Sequence, residues 1–550
     1  MVNMPLRNVG QHGVVTDVDP HDLPPNAFND ATNVVFNENR VMRAPVFKFL
    51  FNQNAQVAQE TGLITAFNYN DPNDSAVLGV AHHDNTVVTY NNGVADDVTP
   101  SGAITSGSDY TPYTHTEVAG LSVICRKTTE PYIRDAVSAS DYSLMSVGDW
   151  PSADRAASMR GFKDFIIALN VTQSGIVYDT MVKWTDVIQY RADPASGVVW
   201  TPSSSNSAGS TILANFKTPI VDGLPLNNAF IIYSTTESAI MEFTGSEFVF
   251  SFRKFSDRDG VINQNCVVST GKEHYVFGDT DIYMHNGITS QSIAIGRVKD
   301  RIYRDMNRDS KEKFFVHLDE IHDLVYFCYV SDESTVGFTN TNYCNRAAVY
   351  NLKTKTWSFV DLPNAVGAAV SNVSLSNTTY NTQSSNYTLT SNTYNSFQDT
   401  SPRISAFVSA RDDANGITAG RVYANDMLVT GLMNTTADSE TLRTAFVERR
   451  GLDLDETQAP IRSYKQLVSL IPQLITLSGT APLTIRLGFT DYPYDDSPTY
   501  VTNYSFVPNA DHKVDSKAAG RLLAYRIEEP IGEYFSFSAA DFDLEVISGR

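Results

Sequence analysis

The chain has 550 residues, with 41 basic against 62 acidic side chains and a formal net charge of −21. An acidic surface does not hold nucleic acid, because phosphate binding depends on Lys and Arg displacing counterions. No apolar run approaches the roughly 18 residues needed to cross a bilayer, and Met1 opens no secretion signal. We therefore expect roughly two to four domains, no membrane insertion, and synthesis in the cytoplasm of the producing cell.

Residues 1–60 are predicted to form an extended arm followed by a hairpin. The Pro20–Pro25 stretch excludes a helix from this part of the chain. A strand-like run at 32–36 meets a turn at 37–39 before a second run at 40–43. The arm carries too little apolar material to fold alone, so we expect it to dock on the C-terminal part of the chain.

Short strand-like runs recur from about residue 61 to 435, with roughly 40 to 60 residues between equivalent strands. Outside residues 257–305, these runs lie at 63–67, 76–80, 86–90, 121–125, 131–134, 165–169, 176–178, 230–233, 240–243, 248–252, 314–317, 324–329, 346–351 and 357–360. This spacing is typical of a β-propeller, whose four-stranded blades are each too small to bury both faces alone.

The clearest unit is 257–305. It holds three β-rich runs and an Asn286-Gly287 turn, and a fourth strand is expected at 293–296. We therefore predict an all-β protein whose propeller has six blades, or seven.

Two segments interrupt the propeller pattern. Residues 195–212 are a Ser-rich loop, and 371–402 are an almost uncharged tract in which Tyr recurs. The second tract is either disordered or an exposed hairpin that serves as a tip or gate. From 436 to 550, alternating strands and polar turns predict an antiparallel β-sandwich. Because the arm needs a partner sheet, we expect the two chain ends to build this platform together.

The distribution of charge and cysteine is uneven. No Lys or Arg occurs between Lys48 and Arg126, although acidic residues are frequent there. A solvated acidic surface explains this interval, and the alternative is the lining of a conduit through which DNA slides.

No CxxC pair occurs, and Cys125, Cys266 and Cys328 lie in apolar runs, so we expect buried reduced thiols and no zinc site.

No arrangement of residues points to catalysis. His317 and His322 are five apart where a zinc protease motif needs four, and the loop from Asp257 lacks Glu at its twelfth position. Acidic pairs such as Asp495-Asp496 are abundant, so glycosidase chemistry stays open as an alternative, but no particular pair supports it. We expect no catalytic residue, no cofactor and no metal.

Four stretches resemble the tail nozzle proteins of short-tailed bacteriophages, a family also called tail tubular or hub proteins. The arm GVVTDVDPHDLPPNAFNDATNVVFNENRVMRAP is similar to the family's N-terminus, with Asn39 where Gly is usual. DGVINQNCVVSTGKEHYVFGDTDIYMHNG is similar to its central blade, and NRAAVYNLKTKTWSFVDLP to its Trp-Ser strand. RTAFVERRGLDLD through GRLLAYRIEEPIGEYFSFSAADFDLEVISGR is similar to its closing segment. Together the stretches touch up to half of the chain, in the family's order.

The resemblance implies a non-enzymatic part of the virion tail. Six copies would form a ring below the portal and its adaptor, with tail fibre or spike proteins as further neighbours. The ring would retain the packaged double-stranded DNA and conduct it during ejection without specific binding. The arm and closing sandwich would face the adaptor, with the candidate interface residues Asp17, Leu23, Pro24, Asn33, Phe36, Arg40 and Arg43.

The acidic interval matches no motif of the family. Its charge alone offers candidates for an acidic channel lining, namely Asp71, Asp74, Asp84, Asp96 and Asp97. Two other classes of protein remain open from the sequence. A propeller glycosidase or depolymerase would need exposed carboxylates at the central face and would cleave host polysaccharide, and a propeller interaction module would be a monomer.

Overall fold

A computed structural model gives the fold. The residues that it describes are 2–52, 62–70, 76–91, 94–103, 110–135, 141–245, 248–333, 343–371, 404–410, 420–426, 444–453, 463–492, 495, 497–530 and 533–548. The predicted all-β class is confirmed, because strands make up most of the regular structure. No helix among the described residues is long and apolar enough to span a membrane.

The N-terminal arm supplies the first five strands: β1 Val2–Leu6, β2 Asp30–Thr32, β3 Val34–Asn37, β4 Arg40–Arg43 and β5 Val46–Asn52. Strands β3 and β4 form the predicted hairpin. Its two turn residues, Glu38 and Asn39, have φ of 48° and 62°. A two-residue primed turn requires this left-handed backbone, and Asn adopts it more readily than most residues. Asn39 therefore takes the conformation expected of the Gly it replaces.

Five separate four-stranded antiparallel sheets follow, arranged as propeller blades with the strands of each in chain order. Blade one is β6 Leu63–Asn70, β7 Ala76–His82, β8 Val87–Asn91 and β9 Val94–Asp97. Blade two is β10 Thr114–Val118, β11 Leu121–Cys125, β12 Tyr132–Asp135 and β13 Ser143–Leu144, and a 3-10 helix at Met145–Val147 follows. Blade three is β14 Arg155–Phe162, β15 Phe165–Gln173, β16 Ile176–Trp184 and β17 Gly209–Ile212. Blade four is β18 Ile220–Leu226, β19 Ala229–Ser234, β20 Ser238–Phe243 and β21 Phe250–Ser256. Blade five is β22 Val267–Ser269, β23 His274–Phe277, β24 Ile282–His285 and β25 Ser290–Ser292.

The blade count differs from the six or seven predicted. After blade five come a short helix, α1 Lys299–Asp305, a 3-10 helix at Arg308–Lys313, and four strands, β26 Phe315–Asp319, β27 Leu324–Tyr329, β28 Cys344–Asn351 and β29 Trp357–Ser371. These four strands continue into a larger sheet and so do not form a separate blade. Strand β26 contacts β22, and β29 contacts β6, so this sheet occupies the space between blades five and one.

Two local predictions within the propeller are wrong. The fourth strand of blade five is Ser290–Ser292 and not 293–296, because the Asn286 side chain accepts hydrogen bonds from Ile288 N and Thr289 N and returns the chain early. Residues 209–212, predicted as part of a loop, form β17. The tract at 371–402 lies outside the described residues beyond Ser371.

The remaining strands build two large sheets. They are β30 Ile404–Ser409, β31 Arg421–Asp426, β32 Ala445–Leu452, β33 Tyr464–Thr476, β34 Leu483–Thr490, β35 Thr499–Phe506, β36 Val514–Asp515, β37 Ala519–Gly520, β38 Leu522–Glu529 and β39 Phe535–Ser548. A twelve-stranded sheet runs from β26 through β29, β2, β32, β38 and β34 to β35, with β30, β31 and β5 alongside. A seven-stranded sheet contains β1, β3, β4, β33, β36, β37 and β39.

The arm docks on the C-terminal strands, as predicted. Strands β1 and β4 pair with β39, while β2 lies between β29 and β32. A sandwich made of the chain ends alone is not confirmed, because the twelve-stranded sheet also contains strands that follow directly from the propeller.

Aromatic side chains join the arm to the C-terminal strands. The ring centre of Phe28 lies 5.6 Å from that of Phe36 and 6.4 Å from that of Tyr525, which is 5.5 Å from Phe542. These residues belong to one core that also includes blade five. All four cysteines are buried and free, which confirms the expectation of reduced thiols.

Candidate functional site: the belt around the propeller axis

A cavity of about 320 Å³ lies where the first strands of the blades converge. The first strands β6, β10, β14, β18 and β22 all contribute lining residues, and β26 and β29 complete the wall. A central cavity of this kind is the usual place for a ligand in a propeller. It is therefore the candidate ligand-binding site of this protein.

The cavity wall consists largely of strand edges. A strand that presents one face to a cavity contributes alternate residues, whereas 64–68, 314–318 and 366–370 line it consecutively. Each of these segments pairs with a neighbouring strand on one side only. Backbone N–H and C=O groups on the other side therefore border the axis.

Short polar side chains bridge the inner strands of successive blades. Tyr113 N donates to Thr65 Oγ1 at 2.9 Å, which links blade two to blade one. Met159 N donates to Thr114 Oγ1 at 3.1 Å, and Gly161 N to Thr116 Oγ1 at 2.7 Å, which link blade three to blade two. We call this set of bridges, together with Arg160, Asp222 and Asn265 below, the axial belt.

The centre of the axial belt is an ion pair. Arg160 Nε and Nη2 donate to the two oxygens of Asp222 at 2.9 and 2.6 Å. Ser158 Oγ and Gly223 N also donate to Asp222, at 2.7 and 2.8 Å. Burial alone would raise the pKa of Asp222, but the charge and hydrogen bonds of Arg160 outweigh it, and the net pKa is lowered. Asp222 is therefore an anion held in place, and it has no proton to donate.

Asn265 extends the belt to blade five and across the axis. Its backbone N donates to Asp222 Oδ2 at 3.0 Å, and its Oδ1 accepts from Arg160 Nη2 at 2.8 Å. Its Nδ2 donates to Tyr113 O at 2.9 Å, and Val316 N donates to its carbonyl at 2.8 Å. Asn265 thus contacts four parts of the propeller, two through its side chain and two through its backbone.

Two histidines border the cavity. His115 stacks on Phe67, with ring centres 4.7 Å apart. Burial of the imidazole, together with the nearby positive charge of Arg160, lowers the pKa of His115 to about 3. Burial lowers the pKa of His317 to about 4, and its Nε2 contacts Ser405 Oγ. Both imidazoles are neutral at pH 7, and neither acts there as a cationic anchor.

A second pair of histidines connects blades four and five. The Tyr233 hydroxyl lies between His274 Nδ1, at 2.7 Å, and His285 Nε2. His274 Nε2 donates to Pro225 O, so its Nδ1 accepts from the hydroxyl, and His285 Nδ1 accepts from Gly287 N, so its Nε2 donates to the hydroxyl. Burial lowers the pKa of His274 to about 4 and that of His285 to about 3. This cluster is satisfied only while both rings are neutral.

The seven predicted interface residues divide by burial. Leu23, Asn33, Phe36 and Arg43 are buried within the chain, where they fix the arm. Asn33 Nδ2 donates to Asp361 Oδ2 at 3.0 Å, and Arg43 pairs with Glu529. Pro24 and Arg40 are exposed, and Asp17 is half-buried.

Asp17 lies in a polar groove of about 650 Å³ between the arm, helix α1 and strand β32. Asp17 Oδ2 accepts from Asp300 N at 3.3 Å, and Asp30 on the arm pairs with Arg301 at 2.7 Å. The arm therefore has an exposed polar surface as well as a buried one.

Three of the five predicted channel residues, Asp84, Asp96 and Asp97, belong to the described part of the chain. Asp71 and Asp74 lie outside the described residues. Asp84 is 9% exposed and accepts from Thr86 N, so it caps a turn. Asp96 and Asp97 are exposed at the outer strand of blade one, where Asp97 Oδ1 accepts from Thr99. Asp96 and Asp97, which are adjacent in the sequence, are thus exposed, whereas Asp84 is buried between β7 and β8.

One group of potential metal ligands escaped the sequence reasoning. Asp19, His21 and Asp22 offer ligand atoms within 4.8 Å of one another. Exposed acidic groups often lie this close without an ion, and these residues form a turn in which Asp22 N donates to Asp19 O. The group carries no assignment.

The fold and the belt together define an all-β propeller protein whose arm is built into its C-terminal sheets. No protein-family model matches the sequence, and no curated protein matches it significantly.

Proposed function

We propose that this chain is a structural protein of a virion, the subunit of the tail nozzle of a short-tailed bacteriophage. The support is the order of four sequence stretches that resemble that family, combined with a propeller fold of the kind that the resemblance implies. In this proposal six copies form a ring below the portal adaptor, and packaged DNA is retained by the ring and later passes through it.

The position of the arm carries the proposal furthest. The stretch that most resembles the family's N-terminus provides β2, β3 and β4. Strand β2 pairs with β29 and β32, β4 pairs with β39, and β3 pairs with β4. This N-terminal stretch therefore forms part of the sheets that the middle and the end of the chain build. In the proposal, the arm and the C-terminal strands form the platform that faces the adaptor, and the half-buried Asp17 and the exposed Pro24 and Arg40 lie at that contact.

Charge supports the passage of DNA without adhesion. With a net charge of −21, a ring of copies repels the phosphate backbone. Asp96 and Asp97 present two carboxylates at one exposed strand of blade one. We expect no change in fluorescence anisotropy when labelled duplex DNA is titrated with the protein at about 0.15 M salt. At this salt concentration, exposed charges more than about 8 Å apart are largely screened from one another. Tight binding of the duplex would contradict this role.

Docking on the adaptor tests the proposal. Deleting residues 1–45 would remove β1 to β4, so single substitutions are the sharper probes. We expect Asp17→Lys and Arg40→Glu to weaken binding to a purified adaptor ring by about tenfold each, the effect of about 1.4 kcal/mol. The matched controls, Asp179→Lys and Lys272→Glu, change exposed positions on the propeller and leave binding unchanged.

Electron microscopy of labelled virions supplies the second test. The proposal places the protein in the tail below the portal, in a six-fold ring. A protein that is absent from virions, or that stays outside the tail, would overturn it. Cleavage of host polysaccharide by the purified protein would favour the depolymerase alternative instead.

A further inference from the structure

Two polar groups of the axial cavity have unused hydrogen-bonding capacity. Asn68 lines the cavity, and its Oδ1 is buried without a hydrogen-bond partner in the described part of the chain. Arg160 also lines the cavity, and an arginine has five N–H groups. Four of them are used by Asp222, His115 O and Asn265, which leaves one N–H on Nη1. The wall therefore offers both an acceptor and a donor to an occupant.

Aromatic and charged side chains also line the cavity. Tyr110 is 42% exposed, and Lys313 Nζ lies 5.0 Å from the ring centre of Tyr343. Glu312 is exposed beside Lys313. Neither Glu312 nor Lys313 forms an ion pair with a described residue. The lining thus adds two aromatic rings, one further donor and one further acceptor.

The charges of the site cancel. Arg160 is neutralised by Asp222, and Lys313 is balanced by Glu312. A ligand of either sign would therefore find no net attraction, whereas a hydroxyl group both donates and accepts hydrogen bonds. The cavity of 320 Å³ has the volume of about ten water molecules at roughly 30 Å³ each, enough for a small ring compound.

We propose that the axial cavity binds a neutral sugar. Its hydroxyl groups would bond to Asn68 Oδ1, the free N–H of Arg160 and the backbone groups of the strand edges. Its C–H faces would pack on Tyr110 and Tyr343. The site binds the sugar without cleaving it, because glycoside hydrolysis needs a pair of carboxyl groups and Glu312 is the one carboxylate among the described lining residues. This inference does not depend on the virion role.

Ligand-observed NMR on the full chain tests the proposal. Glucose, N-acetylglucosamine and maltose are the neutral probes, and glucuronate and glucosamine are the charged comparators. We expect saturation transfer to at least one neutral sugar, with a Kd of about 1 mM or tighter. We expect its charged comparator to bind at least about fivefold more weakly.

Two variants place the binding in the cavity. Asn68→Leu removes the unpaired acceptor and should weaken binding about fivefold, the loss expected for one hydrogen bond. Val370→Phe enlarges a lining side chain and should abolish it. Asn503→Leu, the same change as the first at an exposed position of β35, is the matched control. Far-UV circular dichroism shows whether each variant folds.

The outcomes are distinct. Absence of transfer from all three neutral sugars at about 10 mM overturns the proposal. So does wild-type affinity in folded Asn68→Leu and Val370→Phe, or tighter binding of glucuronate than of glucose. None of these results bears on docking to the adaptor, so the two proposals fail separately.

Discussion

Arg160 and Asp222, on the inner strands of two neighbouring blades, share a buried ion pair in which both carboxylate oxygens accept from the guanidinium, at 2.9 and 2.6 Å. Asp222 is fully buried and Arg160 nearly so. Because Asn265 donates to the same carboxylate, the pair connects blade three, blade four and the start of blade five at the axis. A buried ion pair therefore connects these blades at the axis.

Replacing Arg160 alone should destabilise the protein strongly. Arg160→Met leaves the Asp222 carboxylate buried without its cation, and we expect the free energy of unfolding to fall by about 3–5 kcal/mol. The double variant Arg160→Met/Asp222→Leu removes both charges and should recover more than half of that loss. Urea unfolding followed by tryptophan fluorescence measures both. Arg253→Met, which breaks an exposed pair with Glu242, should cost about 1 kcal/mol or less. Equal losses in the two single variants would refute the prediction.

The arm should be held mainly by its buried contacts. Arg43 on β4 pairs with Glu529 on β38, and the two side chains are 4% and 0% exposed. We expect Arg43→Met to lower the free energy of unfolding by about 3–5 kcal/mol and to speed proteolysis within residues 2–47. Arg7→Met breaks the exposed pair with Asp541, whose arginine is 53% exposed, and should cost under about 1 kcal/mol. A protease-resistant arm in Arg43→Met would show that other contacts suffice.

Mild acid should weaken the contact between blades four and five. The unperturbed pKa of histidine is 6.5, and burial lowers that of His274 to about 4 and that of His285 to about 3. The unfolded chain therefore binds protons between about pH 6.5 and 4 that the folded chain excludes, so stability is full above pH 6.5 and declines below it. Each histidine contributes a slope of about 1.4 kcal/mol per pH unit in this window.

Urea unfolding at pH 7.5, 6 and 5 measures the slope. His285→Gln cannot titrate, so we expect its stability to fall with pH less steeply than that of the wild type, by about 1.4 kcal/mol per pH unit. The explanation fails if His285→Gln and the wild type lose stability in parallel.

The hairpin turn of the arm should tolerate glycine better than its own residue. Glu38 has φ of 48°, a left-handed conformation that costs a side chain such as Glu about 1 kcal/mol. We expect Glu38→Gly to raise the thermal midpoint slightly, because the relief of strain exceeds the added freedom of the unfolded chain. Arg40→Gly, at an exposed strand position, should lower it. Differential scanning calorimetry distinguishes the two, and a lower midpoint for Glu38→Gly would contradict the turn geometry.

Strand patterns revealed the propeller, including the first strands β6 and β22, but missed the first strands of blades two, three and four. Continuous apolar runs predict β11, β15 and β19. These are the second strands of their blades, and they are buried throughout or nearly so. The first strands read THTEV in β10, RAASMRGF in β14 and IVDGLPL in β18, and no apolar period marks them. Their polar residues bond to the next blade, so the same side chains that form the axial belt hide these strands from a hydrophobic pattern.

The site could not be read from the sequence for the same reason. Asp222 and Arg160 are 62 positions apart, and no motif spacing joins them. A repeated short polar residue in the strand before each hairpin, such as Thr65, Thr114, Ser158 and Asp222, was the available signal. The blade number went wrong because β26 to β29 match a blade in local pattern, and only their continuation into the twelve-stranded sheet distinguishes them.

The pairing of β1 with β39 has a consequence for how the protein is made. Asn3 and Asp543 are hydrogen-bonded neighbours although 540 positions separate them. During synthesis, β1 has no partner until nearly all of the intervening chain has left the ribosome, and long-range pairing of this kind is slow to form. The blades, each closed by local hairpins, can mature first, so the arm is the last part to be secured and the part on which an assembly chaperone or a neighbouring copy would have time to act.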